Sequence, residues 1–372
     1  MGKELKSVNL PVETVKKFIF ETLTKIGVPE ADARICEKVL IESDLRGIDS
    51  HGIGRLDMYI QRIKLGVQFP TTKIDVIKDT ETTAVWDGNH GMGHVVGYKA
   101  MEKAIEKAKK YGVGMVAVRN STHYGIAGYY PSMAIENGMC GISFTNARPS
   151  IAPTFGVEPL FGTNPITFGA PTNLQSPFLI DFATSITQRG KIELYDRAEK
   201  ATPPGLAIDD KGNEHTDTVK LLKDLTKGTA SLLPIGGVGE DLGGYKGYGL
   251  AAMVEIFSAA FQNGKFLKDL TGNDENGKPR PYMLGHFFMA INIENFVPLE
   301  IFKAITTSIL KQTIESKKAV GADRIYYAGE KEWESKISRM KNGIPINENL
   351  LKTMNTLKNE LNITEVEIPK SI

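Results

Sequence analysis

Apolar positions are spaced so that residues 11–65 read as helical, with one face available to a core. Pro11 and Pro29 stand where first-turn prolines belong, Glu30 and Asp32 suit a helix amino end, and Gly27 suits a carboxyl-end cap. From 71 to 245 the pattern changes to short β-like runs, among them TTAVW, GVGMVAV, CGISFTN, PITFGA and PFLIDFA, set between loops rich in glycine and proline. After LGGYKGYG the chain turns helical through 250–262. A strand-like GHFFMAINI (285–293) follows, then helices near 299–316 and 347–360. TIESKK and KISRMKNG read as solvated helix faces. These textures divide the chain into a helical part (1–70), an α/β part (71–245) and a mainly helical part (246–372) that packs back on the first.

One stretch invites a specific reading. HGMGHVVG (90–97) lies between TTAVW and the helix-like YKAMEKAIEKAKKYG, where a dinucleotide-binding loop would lie. Such a loop needs an acid at the end of the next strand to hold the ribose, but GMVAV (114–118) ends in Arg119 and Asn120. His94 would also put a ring where backbone must approach phosphate. The stretch therefore reads as a glycine-rich turn with a close-packed helix start, and a cofactor must bind elsewhere.

Composition narrows the class. The 372 residues, 41% hydrophobic, suffice for a large core and about two domains. With 45 basic and 44 acidic side chains, nothing points to nucleic acid or an acidic lipid surface. Two cysteines, Cys36 and Cys140, support neither a disulfide framework nor a thiolate metal site and fit a reducing compartment. The amino terminus lacks a signal-peptide core, and the most apolar run, YGLAAMVEIFSAAF (248–261), is too short to span a bilayer and carries Glu255. The expectation is a cytoplasmic protein.

Chemistry concentrates in two stretches. In RGIDSHGIGRLDMYI (46–60), His51 and Arg55 fall near the amino end of a helical segment and project close together. Both can be positive, which makes sense around an anion: Arg55 grips a carboxylate in two-pronged fashion while His51 meets a neighbouring oxygen. The alternative is a helix-capping histidine beside a surface arginine pair. In VRNSTHYGIAGYY (118–130), a β-run ends in polar residues and His123, at the strand end where α/β enzymes place chemistry. Histidine there can give or take a proton near neutral pH; the alternative is a histidine satisfying buried backbone. His90 and His94 have a metal-like spacing, but the glycines between them argue against a helix and no third ligand is in view, so no metal is expected.

RGIDSHGIGRL, RNSTHYGIAGYY, FGTNPITFGAP, DFATS, GYKGYGLAAMVEI and IYYAGEKE, in that order along nearly the whole chain, together resemble the malate/L-lactate dehydrogenase family, which includes sulfolactate and ureidoglycolate dehydrogenases and diketogulonate reductases. The resemblance implies a non-Rossmann α/β fold: a large, mostly antiparallel sheet domain plus a helical domain formed by both chain ends, assembled as a homodimer with the active site near the subunit interface. It implies an NAD- or NADP-dependent oxidoreductase that interconverts a 2-hydroxy acid and a 2-oxo acid. By motif, His51 and Arg55 fall on substrate positions and His123 on the acid/base. Asp181, Phe182, Ala183, Lys246, Gly329 and Glu330 fall on cofactor positions.

The chain departs from the family pattern in places. Phe182 stands where methionine is common, and TPPGLA (202–207) lacks a tryptophan that often follows the proline-glycine. Arg148, which many relatives lack, either meets a second substrate carboxylate, favouring malate over lactate, or pairs with a surface acid. Two rival classes are a metal-assisted hydrolase or lyase and a nucleotide-binding module without turnover.

Overall fold

A computed structural model describes residues 6–372. Strand β1 (Ser7–Leu10) leads into helices α1 (Val12–Lys25), α2 (Glu30–Leu45) and, after a loop and a short 3-10 turn, α3 (Leu56–Lys64). Pro11 and Pro29 stand at the caps of α1 and α2, and Gly27 turns the chain between them in the left-handed region.

The main sheet follows. Strands β2 (Asp75–Asp79) and β3 (Thr83–Asp87) are antiparallel, and α4 (Gly93–Tyr111) crosses over to β4 (Val113–Ser121), parallel to β3. Helix α5 (Tyr129–Glu136) leads to β5 (Met139–Thr145), β6 (Ile166–Ala170) and β7 (Phe178–Phe182). A small lobe comes next: α6 (Arg189–Arg197), β8 (Ala207–Asp209), α7 (Thr218–Lys227) and β9 (Ala230–Leu232), with its own core around Ile192 and Leu221. The chain then returns through α8 (Gly244–Ala259), β10 (Leu284–Asn292), α9 (Leu299–Ile314), α10 (Glu330–Asn342), β11 (Ile344–Asn347) and α11 (Glu348–Glu360).

The seven strands are ordered β2-β3-β4-β10-β5-β6-β7, and only β3 and β4 run parallel, so the sheet is mixed and mostly antiparallel. Alternation along β4 sends Val116 and Val118 to α4 and α5 and Met115 and Ala117 to α8. Strand β10 does the same with Phe288 and Ala290 against Phe287 and Met289. The expected division at residue 245 therefore does not separate sheet from helices. GHFFMAINI is apolar on both faces because it is a central strand, supplied from inside 246–372. Glu255, the acid in the most apolar run, is buried and accepts bonds from Asn146 Nδ2 (3.2 Å), Asn164 Nδ2 (2.8 Å) and the Leu267 N–H (3.0 Å). Among the described residues no helix is long and apolar enough to cross a membrane.

The two chain ends share a second core. Strand β1 pairs antiparallel with β11, and Phe18, Leu40, Tyr59 and Ile60 pack with Leu351, Met354 and Leu357. Met92 and Val95 from the start of α4 enter this core, so α4 touches both hydrophobic bodies.

That contact explains the glycines of HGMGHVVG. A methyl on Gly93 would strike the Thr122 carbonyl and stand 2.5 Å from the His123 carbonyl, and one on Gly97 would stand 2.7 Å from the Tyr130 ring. Close helix–loop packing requires them. Because backbone oxygens cannot swing aside, Gly93→Ala is expected to cost about 1–3 kcal/mol and to lower the denaturation midpoint accordingly. A variant as stable as the parent chain would contradict this packing.

Candidate active site

The site forms where α3 and the loop before it meet the carboxyl end of β4. The loop after α2 is held at several points. Ser43 Oγ donates to the Ile48 carbonyl (2.7 Å), and the buried Asp44 carboxylate accepts from the Ile53 N–H (2.8 Å). Arg339 on α10 donates to the Asp44 carbonyl (2.6 Å) and pairs with Asp49. Gly52 lies so close to the Asp44 carboxylate that no side chain fits there. Burial pushes the Asp44 carboxyl up to about 8, against the pull of the Ile53 N–H. A short segment of fixed path thus carries Ser50, His51 and Arg55.

His51 and His123 come together, ring centroids 5.4 Å apart and stacked. Ser50 Oγ lies 2.8 Å from His51 Nδ1, and Arg55 Nε donates to the Ser50 carbonyl (2.6 Å). His123 Nδ1 lies 2.7 Å from Tyr59 Oη and 3.3 Å from the Gly125 N–H. Burial first, then the Arg55 charge, push His51 down to about 4. Burial, then His51, Arg62, Arg55 and His94, hold His123 well below the usual histidine range. Among the described residues, neither Arg55 nor Arg62 has a carboxylate within ion-pair distance. Two neutral imidazoles beside two guanidiniums without acids form a receptacle for an anion that also offers an oxygen to protonate or deprotonate.

Periodicity holds the signal for two residues that the sequence reading passed over. Tyr59 and Arg62 follow His51 and Arg55 at intervals of four, four and three residues, and the last two share a face of α3. Tyr59 is fully buried, which is how a core aromatic reads, yet its hydroxyl reaches the His123 ring. His94 is buried edge-on to Tyr59, ring centroids 4.8 Å apart. It lies on α4 while His90 sits in a left-handed turn before the helix, so the two do not share a helical face.

The remaining sequence candidates lie elsewhere. Asp181, Phe182 and Gly329 line one cavity of about 380 Å³ with Arg46, Ile48, Ile126, Gly128 and Tyr326. Asp181 Oδ2 accepts from the Gly128 N–H (2.7 Å). Desolvation by the surrounding protein pushes its carboxyl up to about 6, against the pull of the Gly128 N–H. Glu330 begins α10 beside this cavity, with Oε2 buried and unpartnered and Oε1 3.7 Å from Arg324. Ala183 lies just past the end of β7, and Lys246 is exposed in the first turn of α8; both are outside the cavity's lining. The two regions are joined through backbone: the Ile235 N–H donates to the Thr184 carbonyl (2.9 Å), and Ile235 presses against Gly247. Arg148 is exposed and pairs with no carboxylate among the described residues, so the surface-pair reading is not what the structure has.

A histidine at a strand end, beside guanidiniums that pair with no carboxylate among the described residues, suits a small carboxylic acid. A sequence model of malate/L-lactate dehydrogenases matches residues 10–355. Malate dehydrogenase of Pyrococcus abyssi is 45% identical over 97% of both chains, and L-sulfolactate dehydrogenase of Methanocaldococcus jannaschii is 41% identical over 95% of this chain and 97% of its own. The crystal structure of malate dehydrogenase from Entamoeba histolytica superposes with a TM-score of 0.93 at 43% identity, covering 98% of this chain and all of the other. The chain belongs to the malate/L-lactate dehydrogenase family and is a 2-hydroxy-acid dehydrogenase, which implies a nicotinamide cofactor.

The depressed histidines set a pH dependence. In hydroxy-acid oxidation the base form survives until pH falls to the folded pKa, so the acid limb of kcat/KM is expected clearly below 6.5, the ordinary histidine value. An acid limb at or above 6.5 would contradict it. Stability follows the same sign. The unfolded chain binds these protons near 6.5 and the folded chain only near 4 at His51 and near 3 at His94, so stability falls as pH drops through that window.

Proposed function

We propose that the enzyme interconverts malate and oxaloacetate with NAD or NADP, with sulfolactate as the second substrate class. The observation that carries this reading is the pair of guanidiniums, Arg55 and Arg62, left without acids beside His51 and His123. Relatives that are malate and sulfolactate dehydrogenases support it, because both substrates are 2-hydroxy acids bearing a second anionic group.

In this reading Arg55 grips the C1 carboxylate and His51 binds or polarises the neighbouring oxygen. His123 exchanges a proton with the C2 oxygen through Nε2, which has no protein partner among the described residues. Tyr59 is a positioning residue. Its hydroxyl meets Nδ1, which also accepts from the Gly125 N–H, so the two contacts fix the ring and leave Nε2 for the substrate oxygen. Bound carboxylate negative charge raises the His123 pKa again, which makes the imidazolium available for 2-oxo-acid reduction.

The cofactor supplies or accepts the hydride. Its fit is supported by the cavity beside the histidine loop: Gly128 and Gly329 lie in its lining, Asp181 presents a carboxylate suited to ribose hydroxyls, and Glu330 Oε2 beside it is buried without a partner among the described residues. Phe182 lines the same wall, with Ala183 next in sequence. Lys246, an exposed cation in the first turn of α8 where no side chain caps the helix, suits a phosphate. Assembly as a homodimer is supported by α9, where Ile301, Ile305 and Ile309 form an exposed apolar stripe at helical spacing. A cytoplasmic location agrees with two free, buried cysteines.

The test is oxaloacetate reduction followed by nicotinamide absorbance. His123→Ala is expected to lower kcat roughly 10²–10⁴-fold with reduced-cofactor affinity nearly intact. Lys246→Ala should instead weaken cofactor binding by about 1.5–3 kcal/mol. If His51→Ala loses the rate and His123→Ala keeps it, the two histidines have exchanged roles. If both keep it, the mechanism is wrong.

A further inference from the structure

Arg62 is left over once Arg55 has been assigned to the C1 carboxylate. It lies one helical turn past Tyr59 on the same face of α3, and Tyr59 touches His123 directly. The guanidinium is half-buried and stacks over the Tyr282 ring, 4.4 Å from its centroid. Tyr282 is itself fixed, because its ring packs against Gly272 so closely that a methyl there would stand 2.5 Å away. The stack takes up one planar face of the guanidinium and leaves its N–H edge for other partners. Among the described residues that edge meets no carboxylate. Its charge bears on His123 together with that of Arg55, in keeping with its place on the Tyr59 face of the helix.

A half-buried cation held in place by an aromatic ring, lacking an acid and next to the proton-transfer histidine, is costly unless an anion from solution completes it. We infer that Arg62 recognises the second anionic group of the substrate, an oxyanion at the end of the chain remote from C1. Both a carboxylate and a sulfonate offer the paired oxygens a guanidinium fork accepts, so one residue serves malate-type and sulfolactate-type acids alike. This assigns the preference for a dianionic substrate to Arg62 and not to Arg148, whose side chain is exposed. The inference rests on the 2-hydroxy-acid reading given above.

The experiment compares kcat/KM for oxaloacetate, sulfopyruvate and pyruvate in the parent enzyme and in Arg62→Gln, Arg62→Lys and Arg148→Gln, each checked for native thermal melting. The parent should favour both dianions over pyruvate. Arg62→Gln should lower the oxaloacetate-to-pyruvate ratio about 10- to 100-fold, the loss expected for a charge-assisted pair, and the sulfopyruvate ratio with it. Arg62→Lys, which keeps the charge without the fork, should fall between. A fall confined to one dianion restricts the inference to that oxyanion and overturns its shared form. Unchanged ratios in Arg62→Gln, or a loss that appears in Arg148→Gln instead, would overturn it while leaving the dehydrogenase reading standing. A parent enzyme that reduces none of the three acids would sink both.

Discussion

The hydrogen bond between Tyr59 Oη and His123 Nδ1 joins the two hydrophobic bodies of the molecule at the candidate site. Tyr59 belongs to the core shared by the chain ends, and His123 lies just beyond β4, the neighbour of the central strand of the sheet. The geometry of the site therefore depends on how the helical layer sits on the sheet. That seating is set by α4, which contributes Met92 and Val95 to one core and Val96 and Ala100 to the other. Gly93 permits the approach. A small error in this packing moves His123 relative to His51, and the stacked pair is lost.

Electrostatics make the arrangement meaningful. His51 and His123 are held neutral by burial and by nearby cations, and two guanidiniums stand beside them without acids. Each feature on its own opposes stability. An anionic substrate relieves both at once, since it pairs the cations and restores basicity to the imidazoles. In the proposed reading, binding and activation of the acid/base group are one event, and the stabilisation withheld from the free enzyme appears when substrate is present.

Much of this was legible in the sequence. Strand runs such as TTAVW and CGISFTN are strands, and the glycines of HGMGHVVG make the close-packed helix start that the missing acid after GMVAV favoured. His51 and His123 stood out because histidine beside arginine, or at a strand end, has little structural use. Tyr59 and Arg62 were hidden by residue type. A tyrosine at a core position and an arginine on a helix face have bland explanations, and only the fold shows one reaching a histidine and the other lacking an acid. The central place of β10 was hidden too, because strand order depends on contacts between segments far apart in sequence.

The claim that matters most is that His123 is neutral in the free enzyme and gains its proton when the anion binds. Ring-nitrogen NMR of His123, titrated in the free enzyme and in a complex with reduced cofactor and the unreactive diacid oxalate, measures this directly. The account predicts a neutral ring at pH 6 in the free enzyme and a protonated one in the complex. A ring that titrates near 6.5 when free, or stays neutral in the complex, would contradict it.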